Sequence, residues 1–277
     1  MHDMSTKENW PAGIVNLLNE ARIDVEQLLN RGSIDRAVGL TRDTGMPFDA
    51  AGSPMYFTGA FESPIVLVHL NAKLSEKLSS HRYLDFDDYL LKHRAFGFSH
   101  WGLDPNYYSA FDLKQVRFLR PFGVIEFRPT TEVGHLRTNA ALAIDLKLQL
   151  ELIPYASSTF ETAKFPKNIL EPHFARILAA VASYPRRYVI FCGAVFDDLL
   201  EGNGYVTSRK EHRFHLPTAD GLSKNEYGFS NVRLSFEGMN IHAGIARSFA
   251  IQGIPMDAYG VACSKIYGTD VHQLLAD

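Results

Sequence analysis

The run Ile65, Val66, Leu67, Val68 constrains this chain more than any other feature of it. A strand with one face in water alternates apolar and polar side chains, whereas an unbroken aliphatic run rich in β-branched residues belongs to a strand covered on both faces. The stretch "RYVIFCG" (187 to 193) repeats the pattern and is closed by a glycine. Two such strands, separated and followed by helical spacing, predict right-handed crossovers and a three-layer α/β/α fold around a central, mostly parallel sheet.

The other segments fill in this plan. From Ile14 the apolar residues fall at 14, 17, 18, 21, 25, 28 and 29, one face of a helix that Gly32 ends. Residues 33 to 62 carry Gly39, Gly45, Pro47, Gly52, Pro54 and Gly59 with little periodicity, which predicts an irregular excursion, either a functional flap or a misread element. After the first strand, at about 64 to 70, come helical patterns near 83 to 94 and 106 to 119 and a short strand at "FGVIEF" (122 to 127). A helix near 137 to 147 precedes the strand "LQLELIP" (148 to 154), which Pro154 stops, and another covers 169 to 183. Beyond the strand at 187 to 193 lie a helix at 194 to 200, a strand "NVRLSF" (231 to 236) and a helical pattern at 241 to 253. With 277 residues, 46 % of them hydrophobic, and no internal repeat, the chain is expected to form a single α/β domain over residues 1 to 277, its first 62 residues adding the helix and the excursion.

A net charge of −3 excludes a surface that binds polyanions everywhere but allows a local basic groove. Basic residues gather between 81 and 137 (Arg82, Lys92, Arg94, Lys114, Arg117, Arg120, Arg128, Arg137), interleaved with His81, His93, His100, Trp101, Tyr107 and Tyr108. A second basic stretch, "SRKEHRFH" (208 to 215), reads as a loop or short hairpin. Cations mixed with aromatics suit a surface that tracks phosphates and stacks bases, and a solvated helix face has the same composition. Cys192 and Cys263 lie among apolar or small residues and the N-terminus "MHDMSTKENW" lacks an apolar signal core, so a reducing cytoplasm is expected. No apolar run approaches the ~20 residues needed to cross a bilayer, so no membrane association is expected.

Known chemical signatures are mostly missing. No stretch has the glycine spacing of a dinucleotide fingerprint or the Lys-Ser/Thr ending of a phosphate loop, and no nucleophile elbow is present. His212 and His215 beside Glu211 form a weak metal pattern without a firm helix or Cys partners. Neither a metal nor a cofactor is expected.

Three ordered stretches, "IVLVHLNAKLSE" (65 to 76), "LELIPYASSTF" (150 to 160) and "RYVIFCGAVFDDLL" (187 to 200), together resemble the uracil-DNA glycosylase superfamily, more closely its bacterial members of unassigned function. The first is similar to a strand entering a Gly-Leu-Asn-Pro-Gly turn, the second to a strand ending in Glu-x-x-Pro-Tyr-x-Ser, the third to the late core strand and its helix. They span roughly half the chain. Ala72 stands where a proline follows the asparagine, no His-Pro-Ser-Pro element follows residues 231 to 236, and Pro154 and Tyr155 occupy the region of the base-reading asparagine. The resemblance implies a uracil-DNA glycosylase-like fold and a DNA-binding or N-glycosidic hydrolase activity.

Site candidates follow from strand ends. Asn71, at the end of the first strand, either orients a water for glycosidic cleavage, since an amide cannot act as a base, or caps the following turn. His69 shares its face of the strand and is either a second polar group or a satisfied core histidine. Tyr155, Ser157, Ser158 and Phe160 follow the second strand at the same sheet edge, where an aromatic stacks a base and hydroxyls hold a phosphate, or the group forms a plain turn. His242, with Asn240 and Arg247, either meets an anion at a helix N-terminus or faces inward with Ile245 and Phe249. The expected partner is DNA or a nucleotide. The alternative is a small-molecule enzyme or sensor that places a nucleoside or phosphorylated metabolite in the same cleft.

Overall fold

The computed structural model describes residues 9–74, 83–102, 109–123, 133–161, 164–219 and 221–274. Its core strands are β1 (Phe57–Thr58), β2 (Ile65–His69), β3 (Leu148–Glu151), β4 (Tyr188–Cys192), β5 (Val206–Thr218), β6 (Gly221–Phe236) and β7 (Met239–Ala246). The helices are α1 (Ala12–Arg31), α2 (Asp35–Thr44), α3 (Phe86–Arg94), α4 (Phe96–Gly102), α5 (Ala110–Leu119), α6 (Val133–Asp145), α7 (Lys167–Ala182), α8 (Val195–Gly202) and α9 (Met256–Leu274).

One sheet runs in the order β1-β3-β2-β4-β7-β6-β5. Both faces of β2 are buried, as its aliphatic run requires: Val66 and Val68 pack with residues of α1, α7 and α8, and Ile65 and Leu67 with residues of α5 and α9. Helices therefore cover both faces. The parallel arrangement holds only for the four central strands β3, β2, β4 and β7. Antiparallel pairing predominates over the sheet as a whole, contrary to the mostly parallel sheet expected, because β5, β6 and β7 are 13, 16 and 8 residues long and pair as a meander. Glu237 and Gly238, with φ of 48° and 79°, make the two-residue turn of positive φ that matches the strand twist and folds β6 straight back into β7.

That turn also explains the main secondary-structure correction. The spacing of His242, Ile245 and Phe249 predicts a helix over 241 to 253, but residues to Ala246 form β7. The last four residues of the strand are buried on both faces and carry no period-two signal, and the helical spacing of His242 and Ile245 with Phe249, which lies beyond the strand, is a coincidence. Residues 33 to 62 contain two regular elements within the irregular stretch: α2 ends at Gly45, whose φ of 67° lets its N–H bond the carbonyl of Thr41, and β1 pairs antiparallel outside β3. "SRKEHRFH" lies within β5, and of "FGVIEF" residues 124 to 127 lie outside the described residues. Among the described residues no helix is long and apolar enough to cross a membrane.

Candidate functional site

Because β3, β2, β4 and β7 are parallel, their carboxyl ends share one edge. The chain passes from β2 to β3 on one side and then crosses back to β4 on the other. The crevice between the ends of β2 and β4 is thus a topological switch point, where open α/β sheets bind ligands.

Asn71 stands at this edge with its role partly fixed. Its Nδ2 donates to the carbonyl of Tyr155 at 3.2 Å and to Ser157 Oγ at 2.8 Å. Together with the backbone bonds from Leu152 to His69, Ile153 to Leu70 and Ser157 to Ala72, it joins the turn after β2 to the turn after β3. The amide oxygen, Oδ1, takes no part in these bonds. Tyr155 is brought to the same turn but not to its surface: its ring is buried and its hydroxyl donates to Asp24 Oδ2 at 2.6 Å, as Tyr56 does at 2.6 Å. Burial raises the Asp24 pKa, and the two tyrosine donors oppose that shift. Base stacking on Tyr155 is excluded by this burial. Phe160 stacks on Phe165 with centroids 4.9 Å apart, Ser158 is exposed, and Ser157 is a buried member of the turn.

The third group does not converge on the others. His242 lies in β7 four residues before Ala246, toward the amino end of the strand, and its ring sits 4.2 Å from that of Tyr267. Asn240 is farther from the edge still, opposite Ser235. Arg247 does reach the carboxyl edge, where it donates to the carbonyl of Glu226 at 2.7 Å and lies over the Tyr227 ring. It lines a cleft of about 170 Å³ with Asp197, Arg209, Glu211 and Arg213. Arg209 there is held by Asp197 at 2.9 Å, by Glu211 at 2.6 Å and by Glu201. His212 and His215, three apart on a strand, point to opposite faces, and among the described residues no group of three or more His, Cys, Asp and Glu gathers as a metal site would.

A more unusual constellation lies inside the same edge. His69 faces away from α1, with Phe111 and Phe249 edge-on to its ring at 5.1 and 5.4 Å. Its register partner on β3 is Glu151, whose side chain stands on the same face. From Glu151 a polar stripe runs back along β3: Gln149 Nε2 donates to Glu151 Oε1 at 2.6 Å, and Lys147 Nζ donates to Gln149 Oε1 at 2.7 Å. All of these side chains are buried; His69 faces the side chain of Gln115, which favours its charged form, while Glu151 Oε2 has no hydrogen-bond partner. An unsatisfied buried polar atom costs about 1–3 kcal/mol, so the unbonded Oε2 of Glu151 calls for an explanation other than stability.

The charges are perturbed accordingly. Burial pushes the Glu151 carboxyl up to about 8, opposed by the hydrogen bond from Gln149 and the charge of Lys147. Burial also brings Lys147 down to about 8, and it takes His69 down to about 3 with the help of Lys147. Asp145, desolvated but bonded by the N–H groups of Gly97 and Phe98, rises to about 6. Near neutral pH the carboxyl of Glu151 is thus protonated in part and the imidazole of its register partner His69 is neutral. The signal in the sequence is the stripe Lys147, Gln149, Glu151, polar at every second position from the residue before β3 to its end, beside the aliphatic run Ile65 to Val68 of β2. No family model, no curated protein and no solved structure matches the chain.

Proposed function

We propose that the protein takes the base of a nucleotide in nucleic acid into the crevice between β2 and β4 and cleaves its N-glycosidic bond, as a hydrolase of uracil-DNA glycosylase-like fold. The observation that carries this reading is the buried carboxyl of Glu151, in register with His69 on the adjacent parallel strand and with its Oε2 unbonded. It is supported by the three stretches that carry the resemblance, which form the neighbouring parallel strands β2, β3 and β4 and the turns at their shared edge.

In this chemistry the bond between the sugar C1′ and the base nitrogen breaks, and its electron pair leaves with the base. Glu151 gives its proton from Oε2 to the departing base. A water accepted by Asn71 Oδ1 adds to the oxocarbenium carbon, and its proton returns to the Glu151 carboxylate through the neutral imidazole of His69. One water is consumed and the acid is restored.

The test is fluorescence anisotropy of labelled single- and double-stranded oligonucleotides, with and without deoxyuridine, across a salt series, followed by an excision assay. The reading expects binding that weakens steeply with salt, and excision reduced about 100-fold or more in Glu151→Gln with its fold intact. Absence of binding at low salt refutes a polynucleotide substrate.

A second reading, a small-molecule enzyme or sensor for a nucleoside or phosphorylated metabolite, is favoured by the near-complete burial of His69 and Glu151 and by the engagement of Arg209 and Arg247 in protein contacts. It expects free nucleosides or nucleotides to raise the melting temperature while oligonucleotides do not.

A further inference from the structure

A carboxylic acid that protonates a leaving group must also be able to lose that proton, and a carboxyl group as deeply buried as Glu151 has little reason to do so. Among the described residues, Gln149 and Lys147 are the groups that oppose the burial of its charge. The compensation runs along β3: the amide of Gln149 is oriented by its neighbours, its Oε1 accepting from the Lys147 amine and its Nε2 donating to Glu151 Oε1. Only a donor at Lys147 and an acceptor at Glu151 suit this orientation, so the bridge links a cation to the position of an anion and leaves Oε2 as the oxygen where the proton comes and goes.

We propose that Lys147 and Gln149 are positioning residues which, through these two hydrogen bonds, allow the buried Glu151 to release its proton and so act as a rechargeable acid. The inference deepens the proposed chemistry and takes its catalytic meaning from it, but the protonation itself is a property of the protein alone. The remaining groups that face the ladder are Asp112 and Gln115 from α5, Asp145 from α6, His69 from β2 and Cys192 from β4. Burial lowers Lys147, and the charges of Asp112, Glu151 and Asp145 oppose that shift, so the ionised Glu151 itself helps to hold the Lys147 amine protonated. Gly59 packs against the Lys147 backbone so closely that a Cβ there would lie 1.8 Å from its carbonyl oxygen, which fixes the start of the stripe.

The experiment is an infrared titration of the carboxylic acid C=O stretch, with Glu151→Gln as the blank that identifies the band. In the natural protein the band is expected to vanish as the pH rises through about 8. In Gln149→Leu and in Lys147→Met it is expected to persist to a pH higher by about one unit or more, since each variant removes a hydrogen bond or a charge that favours the anion. Lys147→Arg, which keeps the charge, is expected to titrate close to the natural protein. If Gln149→Leu does not fold, Gln149→Asn, one methylene shorter, breaks the bridge with the amide retained. A Glu151 band that titrates at the same pH in all variants, or that is absent already at pH 6, overturns the proposal. A titration that follows the proposal in a protein with no glycosidic activity leaves the ladder standing and removes the hydrolase reading, and excision with an unmoved titration does the reverse.

Discussion

Replacing Glu151 by Gln removes one titrating group from the interior, and the effect on stability has a definite sign and size. In the folded protein this carboxyl is pushed up from 4.5 to about 8, so between those values the native state holds a proton that the unfolded chain releases. A group bound more tightly in the native state contributes its full stabilisation below the unfolded pKa and loses it as the pH rises through the window to the folded one. The slope is about 1.4 kcal/mol per pH unit, and the whole window carries about 5 kcal/mol. The side chain is wholly buried, so solvent screening does not reduce this. His69 and His173, both brought down to about 3 chiefly by burial, impose an opposite slope below their ordinary range, but they are present in both proteins and largely cancel in the difference. Urea unfolding followed by tryptophan fluorescence and far-ultraviolet circular dichroism, at several pH values from 4.5 to about 8, gives the two stability curves. The difference, natural protein minus Glu151→Gln, is expected to fall steadily across this range. Its offset depends on the bonds of the new amide; its slope does not. Parallel curves would refute the reasoning, because they would mean that native Glu151 gives up its proton no later than the unfolded chain does.

Other outcomes follow from the packing around the same edge. Tyr155→Phe deletes one of two hydroxyl donors to the buried Asp24 carboxyl and is expected to cost about 2 kcal/mol, read as a lower urea midpoint with an unchanged m-value. Gly260→Ala places a Cβ 2.3 Å from the backbone oxygen of Phe118, which does not move aside easily, and is expected to cost about 1–3 kcal/mol by the same assay. His242→Ala is expected to leave oligonucleotide affinity and excision unchanged, because the residue lies toward the amino end of β7 and away from the shared carboxyl edge. A loss of either function in this variant would place the site elsewhere.

Which parts of this molecule are legible in its sequence depends on how each segment is buried. α1 is plain because one face alone is buried and the apolar spacing records it up to Gly32. β2 and β4 are plain because strands covered on both faces leave no polar alternation. β7 is covered on both faces only over Ala243 to Ala246, where Gly244 and the alanines leave no bulky apolar run. Gly244 is there because a Cβ would lie 2.3 Å from the Phe229 ring, a demand of the neighbouring strand that local sequence does not express. The meander as a whole hides for a related reason: its strands are half-exposed and charged, so "SRKEHRFH" reads as a loop until the partner β6 is known.

The candidate site is hidden by a different ambiguity. Polar residues at alternate positions of β3 have two physical origins, a face in water or a buried network, and the alternation is identical in both. What separates them is the neighbour. β3 pairs with β2, and the residues of β2 on the same face are Ile65, Leu67 and His69, packed beneath α5 and α9. A strand cannot have one face in water when its immediate partner has that face in the core, so the stripe Lys147, Gln149, Glu151 had to be buried as soon as the pairing was fixed. Asn71, which the strand end singles out, is by contrast engaged at the turn through Nδ2, and Tyr155 is drawn inward to Asp24. The strand ends thus locate the edge, while the groups able to move a proton lie one layer beneath it, on the face that only the parallel register of β2 and β3 brings together.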